Sequence, residues 1–249
     1  MISQKRQFAS EFLSSAMIAF FGLAMVVPLC VSGFMNQFEF SILFGLLVAF
    51  DTIIFAPVSG AQFNPVVTVS MIVSGRQSVK TIVTYIAAQY LGWFFGSGMI
   101  YVVFWKQLKE FYESDSGNPV NLFFCSTEYI WTGVWVEIIW AAGLMIVILA
   151  CLDDRLPNKP DAKLFPFAIG GYVAVAIAAC GPYTGMALNG ARDFGPRIAG
   201  FIYGKLTGGE TSACFSDGRF LLYMFVPMLG GIAGTLFYDK FISRILPGK

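Results

Sequence analysis

Two short stretches decide the fold, GAQFNPVVT at residues 60–68 and GPYTGMALNGARDFGPR at residues 181–197. Each overlaps a moderately apolar segment, residues 62–74 in the first case and residues 188–202 in the second. A helix needs about 20 apolar residues to cross a hydrocarbon layer about 30 Å thick, so neither segment is long enough to span a bilayer. We therefore predict two re-entrant half-helices that end inside the membrane.

The composition around these stretches is that of a membrane protein. Of the 249 residues, 57% are hydrophobic and 12% are charged, whereas about a quarter of the residues of a soluble domain are charged. Six apolar stretches are long enough to cross a bilayer. They lie at residues 8–31, 38–58, 82–105, 130–152, 164–181 and 220–245. We predict an all-α membrane protein with a single transmembrane domain over residues 1–249, whose first span is too long to be a cleavable leader.

An internal repeat relates the two halves of the chain, approximately residues 8–105 and 130–245. Glu11 precedes Asn64 by 53 residues, and Glu137 precedes Asn189 by 52. The third span of each half also carries a Gly-xxx-Gly pair, which allows close helix contact. The glycines are Gly92 and Gly96 in the first half and Gly230 and Gly234 in the second. Since each half has three spans, the halves have opposite topology, and an inverted repeat brings the half-helices together near the midplane.

The residues at the half-helix starts suit a pore for neutral molecules. Asn is a preferred N-cap residue, and Pro65 suits the first helical position. Two helix N-termini that meet at the midplane direct positive dipole ends, with the amide donors of Asn64 and Asn189, at one place. Cations and protons are then disfavoured, while a water or hydroxyl oxygen is accepted. The alternative is that Asn64 and Asn189 begin two ordinary buried helices.

Charged residues inside the predicted membrane region need an explanation, because an unpaired charge there is costly. Arg192 lies three residues after Asn189, and a wet pore is the natural place for its guanidinium. The alternatives are a structural pair with Asp193 or a contact with lipid headgroups. For Glu11 and Glu137 we predict that each carboxylate accepts N–H hydrogen bonds from the nearby irregular loop.

These two stretches resemble the two Asn-Pro-Ala regions of the aquaporin superfamily, and the resemblance covers essentially the whole chain. Asp193, directly after the pore arginine, is typical of the glycerol-facilitator branch, as are Arg197, Pro227 and Met228 at their positions. The resemblance implies six tilted helices and two half-helices in a right-handed bundle, with one pore per protomer in a homotetramer. We assign structural supporting roles to Glu11, Glu137 and Asp193.

The departures from the family pattern bear on selectivity. The signature triplets are Asn64-Pro65-Val66 and Asn189-Gly190-Ala191, so Val66 replaces Ala in the first and Gly190 replaces Pro in the second. By position, the family's narrow constriction maps onto Phe44, Ile177, Met186 and Arg192. Ile177 stands where facilitators have Gly, and the ring is apolar on three sides. We expect water to pass, together with glycerol or similar small neutral solutes; a water-selective or a non-conducting structural member of this fold is the alternative.

Several other functions are disfavoured. The chain has no histidine, which excludes His-based catalysis and His metal sites. The net charge of +1 gives no indication of a nucleic-acid partner. The five cysteines lack the spacing of metal or redox motifs, and we expect no cofactor and no metal. An intramembrane enzyme would need grouped acids, whereas Glu11, Asp51 and Glu137 suit helix scaffolding better, although Asp51 has no obvious partner.

Orientation follows from the basic residues, because short cytoplasmic loops collect Lys and Arg. With six spans, ten of the sixteen basic residues fall on the side of the two termini. They are Lys5, Arg6, Arg76, Lys80, Arg155, Lys159, Lys163, Lys240, Arg244 and Lys249. We predict a protein embedded in membrane lipid, in a plasma or bacterial inner membrane, with both termini cytoplasmic. Arg197 is assigned to the opposite side. Residues 106–128, on the same side, are interpreted as a lid over the outer vestibule, with a solvated loop as the default alternative.

Overall fold

The computed structural model describes residues 2–216 and 218–246, and within them every regular element is a helix. The α-helices are α1 (Gln4–Met17), α2 (Gln37–Ser59), α3 (Pro65–Val73), α4 (Ile82–Val103), α5 (Trp105–Glu113), α6 (Ile130–Leu152), α7 (Phe165–Thr184), α8 (Gly190–Thr207), α9 (Ser212–Phe215), α10 (Arg219–Phe237) and α11 (Ser243–Ile245). Turns of π-helix at Ile18–Gly22 and Val27–Val31 continue α1, and a third at Tyr238–Ile242 joins α10 to α11.

Six segments of the described chain are long and apolar enough to cross a membrane, which confirms the predicted number of spans. They are α1 with its π-helical turns, α2, α4, α6, α7 and the segment that contains α10. An even number of crossings places both ends of the chain on the same side, which we refer to as the terminus side. The opposite side, where α5 lies, is the far side.

The fifth span is longer than the predicted segment, which ended at residue 181. Pro182 lies inside α7, and the helix continues to Thr184 because a proline near a helix end removes only one hydrogen bond. Gly185 then ends the helix in the left-handed conformation, with φ of 73°. The extra turn brings Thr184 to the start of the second re-entrant loop.

The two short segments form half-helices, α3 and α8, as predicted. The Asn64 side chain caps α3 by accepting a hydrogen bond from the N–H of Val66. The Asn189 side chain caps α8 by accepting from the N–H groups of Ala191 and Arg192. α8 runs to Thr207, beyond the predicted end at residue 202, and Gly208 ends it in the left-handed conformation.

Glycines set the distances between the long helices. A Cβ atom on Gly92 would overlap the carbonyl oxygen of Phe12, so α4 packs directly on α1. In the second half, a Cβ atom on Gly230 or Gly234 would overlap backbone atoms of α6. The predicted Gly-xxx-Gly pairs therefore make equivalent contacts, α4 with α1 and α10 with α6, as an inverted repeat requires.

Candidate functional site

The two half-helices meet end to end through their capping asparagines. Asn64 Nδ2 donates to the carbonyl oxygen of Leu188 over 2.9 Å, and Asn189 Nδ2 donates to the carbonyl oxygen of Phe63 over 2.9 Å. Each amide therefore caps its own helix through its oxygen and binds the opposite loop through its nitrogen. The reciprocal bonds fix the two helix N-termini against each other inside the bundle.

The loop before each asparagine has an unusual backbone. Phe63 and Leu188, the residues just before the asparagines, have φ of 37° and 51°, and Ala61 and Met186 are also left-handed. Residues other than glycine rarely adopt this backbone conformation, because it costs energy. It persists only where the surrounding structure enforces it. The hydrogen bonds of the loops account for its persistence.

A fully buried carboxylate holds each loop. Glu11 accepts from the N–H groups of Gln62 and Phe63 over 2.9 and 2.8 Å. Glu137 accepts from those of Ala187 and Leu188 over 2.9 and 2.8 Å. These are the hydrogen bonds predicted for the two glutamates, and the carbonyl oxygens of Phe63 and Leu188 accept from the asparagine amides.

The first carboxylate has additional partners that the local sequence pattern did not indicate. Gln89 Nε2 donates to Glu11 Oε2 over 2.8 Å and to Thr68 Oγ1 over 2.9 Å. Thr68 in turn donates to Gln62 Oε1 over 2.7 Å. On the other half, Glu137 has a long hydrogen bond of 3.3 Å from Thr184. The first loop is therefore the more heavily braced of the two.

A cavity of about 370 Å³ runs past the asparagine pair. The four residues of the predicted constriction all line it, namely Phe44, Ile177, Met186 and Arg192. Asn64 and Asn189 line it as well. The remaining signature residues, Pro65, Val66, Gly190 and Ala191, are buried and are not part of the cavity wall. The rest of the wall is mostly apolar, with Ile18, Val48, Val67, Leu144, Ile148 and Val173 among its members.

The other signature residues pack the half-helices into the bundle. Val66 is fully buried, and a Cβ atom on Gly231 of α10 would overlap its side chain. A Cβ atom on Gly190 would lie 3.0 Å from the Met224 carbonyl oxygen and 3.0 Å from the Tyr90 hydroxyl. The position after Asn189 is therefore tight, which is a reason for a glycine there.

Arg192 does not pair with Asp193, so that alternative is wrong. Arg192 Nη1 donates to the carbonyl oxygen of Phe123 over 2.8 Å, and the side chain is half-buried in the cavity wall. Asp193 instead accepts from Arg197 Nε over 2.6 Å and from the Cys125 N–H over 2.7 Å. Among the residues that the structure describes, the guanidinium binds one carbonyl, which leaves further N–H donors on the cavity side.

Arg197 lies against the far-side loops, on the side to which it was assigned, and it is fully buried there beside Asp193. Its guanidinium donates to the carbonyl oxygens of Cys125 and Cys214 and lies over the Phe124 ring at 4.3 Å. The i, i+4 spacing on α8 was the only local signal for this pair. The contacts hold the same loop that presents the Phe123 carbonyl to Arg192.

Two further predictions need correction. The loop at residues 106–128 is not solvated throughout, because Val120, Phe123, Phe124 and Cys125 are buried against the bundle. Asp51 does have a partner, since Ser14 Oγ donates to its Oδ2 over 2.5 Å. The burial of this loop and the Ser14–Asp51 hydrogen bond both bring together residues that are distant in sequence, so local sequence patterns did not indicate them.

Comparisons with known proteins find similar chains by sequence and by structure. Residues 1–238 match the Major intrinsic protein family. The glycerol uptake facilitator protein of Escherichia coli (strain K12) is 33% identical over 98% of this chain and 90% of its own length. The propanediol uptake facilitator PduF of Salmonella typhimurium is 32% identical over 98% and 97%. The X-ray structure of the aquaglyceroporin from Plasmodium falciparum is similar with a TM-score of 0.82, at 25% identity over 98% of both chains.

Proposed function

Because this chain belongs to the major intrinsic protein family, we propose that it conducts water and small uncharged solutes such as glycerol through the cavity between its half-helices. Members of this family are channels and not enzymes. The two buried glutamates have a corresponding role, because both oxygens of each carboxylate accept hydrogen bonds from a loop. The two glutamates therefore hold the pore loops in place and have no catalytic role.

The observation that carries the proposal is the asparagine pair. Each Nδ2 atom uses one hydrogen on the opposite loop, which leaves the second available to a molecule in the cavity. The N-termini of α3 and α8 add their positive dipole ends at the same place. A passing water then accepts hydrogen bonds from both amides and donates away from them, which interrupts a proton-conducting chain.

The constriction provides selectivity by its uneven polarity. Arg192 supplies hydrogen-bond donors on one side, while Phe44, Ile177 and Met186 supply hydrocarbon on the other three. Such a ring accepts solutes that carry hydroxyl oxygens on one edge and C–H groups on the other, as small polyols do. The relatives named for glycerol and for propanediol uptake support this solute class.

Stopped-flow light scattering on proteoliposomes tests the proposal. Water shrinkage and glycerol re-swelling are measured for the wild type and for Ile177→Gly, with empty liposomes as the baseline. Glycerol flux in the wild type supports a facilitator, and Ile177→Gly should increase that flux. Water flux with glycerol flux only in the variant means a water-selective channel, and the absence of both fluxes means a closed or structural protein.

The assembly and location are also proposals. We infer a homotetramer in a plasma or bacterial inner membrane with the termini in the cytoplasm. The support comes from the family, from the bacterial relatives and from the excess of Lys and Arg on the terminus side. Labelling of single cysteines in the α3–α4 loop, at Ser78 for example, by a membrane-impermeant reagent tests the orientation. The reagent should react with this cysteine only after the cells are opened.

A further inference from the structure

A second cavity, of about 290 Å³, lies on the far side between α5 and the end of α8. None of its lining residues lines the pore cavity. Trp105 and Tyr203 form an aromatic corner of this cavity, with ring centroids 5.3 Å apart and planes at 78°. Val120 and Leu206 add apolar surface to the floor of the cavity. Its mouth carries the charged side chains of Lys109 and Glu113.

Two polar groups in the cavity wall are available to donate hydrogen bonds to a ligand. Neither the Trp105 indole N–H nor the Tyr203 hydroxyl donates a hydrogen bond to another residue in the described part of the chain. At the mouth, Lys109 Nζ lies 3.6 Å from Glu113 Oε1, and both side chains are mostly exposed. An exposed pair of this kind contributes little to stability, so a ligand can open it at small cost.

The surroundings place the cavity at a membrane interface. Leu206, in the cavity wall, is 78% exposed, and Val102, three residues before Trp105, is 70% exposed. Such exposed side chains on α4 and α8 suit contact with lipid acyl chains. Trp and Tyr are enriched where the hydrocarbon gives way to headgroups, and Trp105 and Tyr112 are half-exposed at this position.

We propose that this cavity binds the headgroup of a phosphatidylethanolamine molecule in the far-side leaflet, with its acyl chains along Val102 and Leu206. The phosphate oxygens accept hydrogen bonds from the Trp105 N–H, the Tyr203 hydroxyl and the Lys109 ammonium. The ethanolamine ammonium binds Glu113 and the face of the Tyr112 ring. Ethanolamine is chosen over an anionic headgroup because the mouth carries one charge of each sign.

Native mass spectrometry of the purified protein, titrated with lipids of matched acyl chains, tests this site without any measurement of flux. The lipids are phosphatidylethanolamine, phosphatidylglycerol and diacylglycerol. We expect Lys109→Gln to weaken binding of both phospholipids by about fivefold, the loss of one charge-assisted hydrogen bond at a partly exposed site. Glu113→Gln should abolish the preference for phosphatidylethanolamine over phosphatidylglycerol.

The same helix offers matched controls, because Lys106 and Glu110 are exposed and lie outside the cavity wall. Lys106→Gln and Glu110→Gln should leave the affinities and the preference unchanged. Equal effects of Lys106→Gln and Lys109→Gln would overturn the site in favour of general surface charge. Diacylglycerol that binds as tightly as phosphatidylethanolamine, or inorganic phosphate that displaces the lipid at millimolar concentration, would overturn the headgroup assignment.

Discussion

At the scale of single residues, the charged side chains in the first two turns of α8 fall into two kinds. Asp193 and Arg197 neutralise each other, and both are essentially without solvent contact. Arg192 faces the cavity, and its guanidinium donates to the Phe123 carbonyl oxygen. The buried pair therefore holds the loop, and we propose that the cavity-facing arginine contacts the solute.

Asp193→Ala should destabilise the protein by about 3–5 kcal/mol, because it leaves the Arg197 guanidinium buried without its carboxylate. Thermal unfolding in detergent measures the effect. The matched control is Glu113→Ala, which breaks an exposed pair with the same i, i+4 spacing and should cost about 1 kcal/mol or less. Similar losses in the two variants would contradict the buried role of Asp193.

Glu137→Gln should reduce water permeability by about tenfold or more while the protein still folds. The neutral amide replaces one acceptor oxygen with an N–H₂ group that faces a loop N–H, so the loop loses its conformation. Stopped-flow shrinkage of proteoliposomes measures the change. Glu128→Gln, at an exposed position, serves as the control and should conduct like the wild type; normal conductance in Glu137→Gln would refute the role of this carboxylate.

At the scale of elements, the helices that pack most closely do so through glycine. Gly45 of α2 and Gly170 of α7 face each other so closely that a Cβ atom on either would overlap the other's carbonyl oxygen. Gly92 of α4 packs against the backbone of α1 in the same way, and Gly230 of α10 packs against the backbone of α6. Close backbone approach replaces hydrophobic burial as the source of helix association in lipid.

Gly234→Ala should destabilise the protein by about 1–3 kcal/mol, the range for overpacking a tight contact, because the new methyl group meets the Ala142 carbonyl oxygen. Gly98→Ala in α4 is the matched control. A Cβ atom at this position would meet no other atom of the described chain within 4 Å, apart from its own helix turn. The substitution should therefore be neutral or stabilising by up to about 1 kcal/mol. Unfolding temperatures of both variants decide the matter, and equal shifts would contradict this packing.

The end of α6 is tied to α10 and α11 on the terminus side. Asp153 accepts from Arg155 and, over 2.9 Å, from the Tyr238 hydroxyl, while Arg155 donates to the Ser243 carbonyl oxygen over 2.7 Å. The hydrogen bonds from the Arg155 guanidinium hold the pKa of Asp153 well below its usual range. A carboxyl with a lowered pKa stabilises the fold at pH values above its unfolded pKa and loses that effect as the pH falls.

The difference in unfolding temperature between the wild type and Asp153→Asn should therefore be largest near neutral pH. It should shrink as the pH falls below about 4, where the unfolded aspartate begins to take up its proton. Unfolding in detergent from pH 7 to pH 3 measures both proteins side by side. A difference that is constant over this range would show that the charge of Asp153 is not the stabilising feature.

At the scale of the whole molecule, the sequence predicted most of the architecture. Apolar length alone indicated six spans, and the asparagine at the start of each short segment indicated two capped half-helices. The nearly equal spacings of Glu11–Asn64 and Glu137–Asn189 indicated the repeat, and the cost of a buried carboxylate near an irregular backbone predicted the loop hydrogen bonds. These signals are local or periodic, and they can be read without coordinates.

The features that escaped prediction depend on contacts between distant residues. The buried place of Arg197 depends on Cys125, which lies 72 residues earlier. Asp51 meets Ser14 only because α1 and α2 pack together. Neither composition nor period specifies which loop folds back over which helix, so residues 119–125 gave no sign of their burial.

The central claim is that neutral solutes pass the asparagine pair while protons do not. Wild-type proteoliposomes from one preparation, loaded with a pH-sensitive dye and followed in stopped flow, report water flux, glycerol flux and proton leak together. We predict water and glycerol fluxes above those of empty vesicles, with a proton leak no greater than in empty vesicles. A proton leak that rises with the amount of protein, or the absence of both solute fluxes, would contradict the claim.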